Sequence, residues 1–197
     1  MSQDRVEAFS DGVFAVALSL LILDVRLPEI QSGSTFGAYL VAMTPVLPKM
    51  GTFALSFAVI ANQWVSHHYY FRQLTCVPLG LVWLNNLFLL WICFLPFPTA
   101  LLGSHPLDLF PIVLFAANSL CMALTIMTMR VYSTRHGLFI PEVAASGDMG
   151  PQHSFPAIIL FSLAIPLAFV SHYFALVCFA AVPLLYFMPN FIRARKP

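Results

Sequence analysis

Side chains that can donate, accept or titrate are concentrated in three otherwise apolar stretches. The first holds Ser10 and Asp11, the second Asn62, Gln63, Trp64, Ser66, His67 and His68, and the third Asn85 and Asn86. Three chemistries are open to such a set. A hydroxyl, an imidazole and a carboxylate at one depth can act as nucleophile, base and orienter, here Ser10, His67 and Asp11. Histidines can chelate a metal. Carboxylate and amide oxygens can also accept from indole, imidazole and amide N–H groups in a network that performs no reaction.

Spacing separates these readings. Chelating helical histidines stand four residues apart, whereas His67 and His68 are adjacent and diverge by ~100°, so no metal is expected. Cys76, Cys93, Cys121 and Cys178 are scattered without a Cys-x-x-Cys pair, so inert thiols are expected rather than zinc or disulfides. Neither Gly-x-Ser-x-Gly nor His-Glu-x-x-His occurs, and an intramembrane enzyme is disfavoured. Trp64 precedes the two histidines by three and four residues, so it shares a face with at least one of them. A network joining Ser10 and Asp11 to a histidine, the Trp64 indole and an asparagine amide is the expected use. A pH-sensing role for His67 or His68 stays open beside the hydrogen-bonding one.

The elements that position these residues belong in a membrane. Of the 197 residues, 60% are hydrophobic and 9% charged, and mean hydropathy is +0.87. A soluble domain carries about 25% charged residues. A net charge of +1 offers nothing to nucleic acid. No cleavable signal peptide is expected, since no small-residue cleavage site follows the first stretch. Spanning helices need ~20 apolar residues, and six segments qualify. They run over Val6–Leu27, Lys49–Tyr69, Val77–Leu102, Leu107–Val131, Phe155–Ser171 and Tyr173–Phe191, with a short interfacial helix at Phe36–Met43. The expected fold is thus an all-α membrane protein, one six-helix domain over residues 1–197. Alternate loops place Arg5, Arg72, Arg130, Arg135, Arg193, Arg195 and Lys196 on one side against Arg26 and Lys49 on the other, which predicts both termini inside the cell. The second half carries few polar groups and reads as a lipid-facing layer.

The first segment contains a seam. Arg5, Phe9, Gly12, Val16, Ser19, Leu23 and Leu27 recur at steps of four, three, four, three, four and four, with Leu20 at the edge. Gly12 and Ser19 permit close approach of a second helix. Two readings stay open: packing within one subunit, or a parallel bundle around a symmetry axis with Val16, Ser19, Leu20 and Leu23 along a narrow passage. Asp11 lies ~140° around the wheel from Val16 and points elsewhere, toward partners within its own subunit.

Arg5-x-x-x-Phe9-Ser10-Asp11, Trp64-x-x-His67-His68, and Asn85 followed by Pro96-Phe97-Pro98-Thr99 together resemble the transmembrane protein 175 family of lysosomal and prokaryotic potassium channels. The resemblance is strong over the first half of the chain and rests on helix count in the second. It implies a six-helix subunit assembling as a homotetramer in the plasma membrane, with helix one lining the pore and potassium as the permeant ion. It implies no other cofactor. By position, Val16 would form the narrowest ring, Ser19 a hydroxyl ring, and Leu20 or Leu23 the next apolar ring. Family members more often carry isoleucine or leucine at the first of these, so valine implies a wider constriction. Arg5, Phe9, Ser10 and Asp11 would anchor the pore helix, with Trp64, His67, His68 and Asn85 as partners. No Thr-Val-Gly-Tyr-Gly string is present, so a carbonyl filter is not expected. A secondary transporter, proton-coupled or otherwise, is the alternative, but midplane charges and paired repeats are missing from the sequence.

Overall fold

The computed structural model describes residues 2–26, 28–147 and 150–193, with 187–193 as backbone alone. Leu27, Arg195 and Lys196 of the sequence reading lie outside the described residues, as do the side chains of Phe191 and Arg193. Helix α1 covers Gln3–Leu20 and tightens into a 3-10 turn over Leu21–Asp24, three residues short of the expected end. Helix α2 is Phe36–Met43, as the sequence suggests, with Thr35 capping it by accepting from the Ala38 N–H. A turn holding Pro45 joins it to α3, Leu47–Phe71. Helix α4 is Leu79–Phe94 and α5 is Pro96–Ser104, nearly continuous but interrupted where Pro96 withdraws an N–H. Helix α6 is Leu109–Arg135. A short α7, Pro141–Ser146, ends on Gly147 in the left-handed region (φ 68°) and was not foreseen. Helices α8, Phe155–Val170, and α9, His172–Arg193, close the chain.

The fold is all-helical among the described residues, and five helices are long and apolar enough to cross a membrane. They are Gln3–Asp24, Phe36–Phe71, Leu79–Ser104, Leu109–Arg135 and Pro151–Val170. The described side chains of α9, His172–Tyr186, form a shorter apolar helix.

Packing corrects one expectation. The second half is not merely an outer layer, because α6 is the central post of the bundle. It touches α4, α5, α8 and α9, and 56% of its most apolar stretch is buried, against 28% for α1. It also holds buried polar residues that the hydropathy pattern hides. Asn118 donates to the Trp91 carbonyl at 3.2 Å, and the Ser133 hydroxyl lies 2.6 Å from Tyr70 Oη. The Arg130 guanidinium sits 5.6 Å from the centre of the Tyr70 ring. Arg130 is therefore a buried helical residue rather than a loop charge.

Two contacts fix α3 against α5. Ser56 and Thr99 pair their hydroxyls at 2.8 Å, and Thr99 also donates to the Leu95 carbonyl. At Gly103 the helices approach until a Cβ would stand 2.7 Å from Thr52 Oγ1 and 3.2 Å from the Lys49 Cα. The Lys49 contact is backbone and cannot swing aside. Gly103→Ala is therefore expected to destabilise by ~1–3 kcal/mol through overpacking, read as a lower thermal midpoint of the detergent-purified protein. An unchanged midpoint would show that this contact yields freely.

Candidate functional site

Helix α1 presents two opposite faces. Val6, Ser10, Phe14, Ala17 and Leu21, at steps of four, four, three and four, are buried against α3 and α4. The seam lies on the other side. Phe9 is 58% exposed, Val16 58%, Leu20 44% and Leu23 60%, and Arg5, Gly12 and Ser19 are exposed with them. Among the described residues the seam stays largely uncovered, with Phe9 at the edge of a groove against α4, and a Cβ on Gly12 would meet nothing within 4 Å. Within this subunit the seam residues are thus left exposed, and the packing that buries α1 falls on its opposite face.

The buried face is tied down by a chain of hydrogen bonds. Ser10 Oγ donates to the Val6 carbonyl at 2.8 Å and accepts from Asn85 Nδ2 at 3.0 Å. That leaves Asn85 Oδ1 facing His67 Nε2 at 2.7 Å, so Nε2 carries the proton and donates. Aromatic rings enclose the imidazole. Phe71 stacks on it at 4.4 Å, Phe88 lies nearly parallel at 5.8 Å, and Phe14 meets it edge-on at 5.5 Å. Three helices are joined here, through one residue each from α1, α3 and α4.

Asp11 belongs to a second, separate cluster. Its Oδ1 accepts from Trp64 Nε1 at 2.8 Å, and the indole lies over His68 at 6.1 Å, 23° from parallel. Asp11 and Trp64 are exposed, whereas Ser10, His67 and Asn85 are buried. The structure therefore splits the single expected network into two. Arg5 and Phe9 join neither cluster, and Arg5 makes no hydrogen bond among the described residues. The sequence reading missed Gln3, whose Nε2 donates to the Phe71 carbonyl at 2.8 Å and levels the start of α1 with the end of α3. A glutamine just before an apolar helix was the available signal.

The arrangement contains no base–nucleophile contact. The Ser10 proton is committed to Val6, and His67 addresses Asn85 rather than Ser10 or Asp11. Among the described residues no three His, Cys, Asp or Glu side chains converge on one point. What the cluster does is hold a helix. Asn85→Leu leaves His67 Nε2 without a buried acceptor, at ~1–3 kcal/mol, while Ser10 loses one donor but keeps its bond to Val6. The expected result is a markedly lower thermal midpoint, larger than for Asn86→Leu one residue along. Equal midpoints for the two variants would remove Asn85 from the anchoring role.

Comparison with known proteins supplies the family. Residues 5–96 match the family described as endosomal/lysosomal potassium channel TMEM175. A protein named a potassium channel from Streptomyces collinus is 38% identical over 85% of this chain and 82% of its own length. Another so named, from a Chryseobacterium, is 25% identical over 96% of this chain and 95% of its own. The crystal structure of a lysosomal potassium-selective channel TMEM175 homolog from Chamaesiphon minutus superposes with a TM-score of 0.75. It shares 26% identity and covers 95% of this chain and 97% of that one. Those full-length matches carry the likeness past the first half, into the helices where the sequence reading relied on a count. The chain belongs to the TMEM175 family.

Proposed function

We infer that this chain is a subunit of a potassium channel in which α1 lines the pore. Ion conduction rather than enzymatic turnover is what the relatives' names describe. The observation that carries the pore assignment is the exposed seam of α1, opposite the face anchored by Asn85. A stripe with Gly12 and Ser19 among branched residues suits close packing of parallel copies better than contact with lipid alone. Four copies make a homotetramer with the seams around the axis. Each subunit crosses the plasma membrane six times, α9 being the sixth span, and its positive loops lie inside the cell.

In this reading Val16 forms the narrow ring, Ser19 a hydroxyl ring one turn away, and Leu20 and Leu23 the rings beyond. Arg5 and Phe9 stand at the inner end of the seam. A ring of branched apolar residues gates by dewetting and selects by how readily an ion sheds water. Potassium holds its hydration shell less tightly than sodium and so passes more easily. Ser10, Asn85 and His67, with Asp11, Trp64 and His68 beside them, anchor the helix and take no part in coordination. No resident cofactor is required, only the permeant ion.

Reversal potentials under bi-ionic sodium and potassium in proteoliposomes test the assignment. Val16→Asn is expected to raise current and to favour sodium more than potassium, because a polar ring removes the dewetting barrier. Leu23→Ala is expected to act in the same direction but more weakly, two turns farther along. Current and reversal potential unchanged in Val16→Asn would displace α1 from the narrow point. Asp11→Ala is expected to lower the fraction assembled as tetramer while leaving the reversal potential of the surviving channels alone. An intact tetramer with altered ion preference would place Asp11 in the pore instead.

A further inference from the structure

The two flanks of the α1 seam differ, and they are complementary. On one flank α1 and α4 enclose an open apolar groove of about 570 Å³, whose walls include Phe9, Val13, Trp83, Asn86, Leu90 and Cys93. On the other flank α3 presents a ridge. Phe57, Ala61, Trp64 and His68 follow one another at steps of four, three and four, and none is buried. Asp11 lies on this second flank, bonded to Trp64, ~160° around α1 from both Phe9 and Val13. Phe9 belongs to both the seam and the groove, so the groove continues the face assigned to the pore axis.

A ring of identical subunits joins unlike surfaces, because each copy must meet one neighbour with its left flank and another with its right. The seam points at the axis, so the groove and the ridge are the surfaces that meet. Their registers agree. The short connection over 72–78 and the His67–Asn85 hydrogen bond put the end of α3 and the start of α4 at about the same depth. Trp64 and Asn86 each lie seven residues from that end, and Phe57 and Cys93 each lie fourteen. At 1.5 Å per residue the pairs stand at common depths of ~10 and ~21 Å. On α4 the groove residues Val82, Asn86, Leu89 and Cys93 repeat the three–four spacing of the ridge, with Val82 and Leu89 buried at the floor and Asn86 and Cys93 more open.

Polar groups match as well. Asn86 makes no hydrogen bond among the described residues, yet its amide stands in an apolar groove. Asp11 uses only Oδ1 within its own chain and lies at the depth of Asn86, ~12 Å along α1 from Gln3, whose side chain is level with Phe71. An unpartnered amide in a membrane-facing groove calls for an acceptor on the neighbouring surface. An acyl chain supplies none.

We propose that the groove between α1 and α4 seats the α3 ridge of the next subunit, with the Asn86 amide donating to that subunit's Asp11 carboxylate. This rests on the tetrameric pore reading and adds to it which surfaces close the ring. Cys93 makes it testable in place. With Cys76→Ser, Cys121→Ser and Cys178→Ala, Phe57→Cys adds a thiol at the depth of Cys93. Membranes are oxidised with copper phenanthroline, run on a non-reducing gel, and the same samples are weighed by native mass spectrometry. The expected result is a reducible ladder of two, three and four linked chains, at least fivefold stronger than for Ile159→Cys on the exposed face of α8. A second pair, Ala61→Cys with Leu90→Cys in a Cys93→Ser background, gives the same ladder if Phe57→Cys fails to reach the membrane. A tetramer by mass with no linked chains, with dimers alone, or with a ladder no stronger than that of Ile159→Cys overturns the groove assignment and leaves the pore reading intact. A monomer by mass overturns both.

Discussion

Inside a bilayer there is no water to satisfy a polar side chain, so each must find a protein partner, and the Ser10–Asn85–His67 chain is built under that constraint. Every donor in it has a named acceptor, and the imidazole is closed off by three phenylalanine rings. Buried and satisfied, such a network is directional where apolar packing is not. It fixes the rotation of α1 about its own axis. Turning the helix by one residue, ~100°, would carry Ser10 away from Asn85 and leave the Asn85 amide N–H without its acceptor in an apolar surrounding. The seam faces outward because the opposite face has no freedom to move.

The rest of the bundle supports that rotation. Helix α3 supplies His67 and Trp64, and α4 supplies Asn85, so both must hold their depth. Depth is set at each end of α3. Near Phe71, Gln3 bonds the Phe71 carbonyl and Tyr70 reaches Ser133 and the Met129 carbonyl on α6. Near Leu47, Gly103 lets α5 close onto Lys49 and Thr52. Lys49 also stands 4.0 Å from Asp24 at the end of α1, a partly exposed pair worth little alone. At the first of these ends the loops are pinned by the bridge between Leu74 and Phe139. Helix α6 touches α4, α5, α8 and α9, is bonded to α3 through Tyr70, and so ties the hairpins into one body.

Much of this was legible because membrane helices are read from length and polarity, both linear properties of a sequence. The short helix Phe36–Met43 is recognisable between Gly33 and Pro45. The polar residues of the anchoring site stand out against Leu and Phe. What sequence could not give was partnership. Ser10 and Asp11 are neighbours in the chain but ~100° apart on the helix, so they address different helices, and one expected network became two. The role of α6 was hidden for the same reason. Its Asn118, Ser119, Thr125 and Ser133 are too sparse to register as a pattern, yet all are buried. Hydropathy cannot distinguish an apolar helix facing lipid from one facing protein. The exposed Arg5 and Phe9 show the limit of motif reasoning too. They share a motif with Ser10 and Asp11, but within this subunit they share no contacts with them.

Separating anchor from seam also explains what the seam offers an ion. Ser19 Oγ donates to the Ala15 carbonyl at 2.8 Å, so its one proton is spent within the helix. The hydroxyl of an exposed Ser19 then turns lone pairs outward, not a hydrogen. In the proposed tetramer four such oxygens ring the axis, one turn from Val16. They form an acceptor set that suits a cation and repels an anion. They are too few and too weakly charged to replace a full hydration shell, so passing the apolar ring still costs the ion part of its water. In that reading the apolar ring discriminates by how readily an ion sheds water, and the oxygen ring lowers the barrier for cations alone. In the proposed tetramer, charge selection and selection among cations would fall to different residues on one exposed face, while the buried face keeps both at fixed depth.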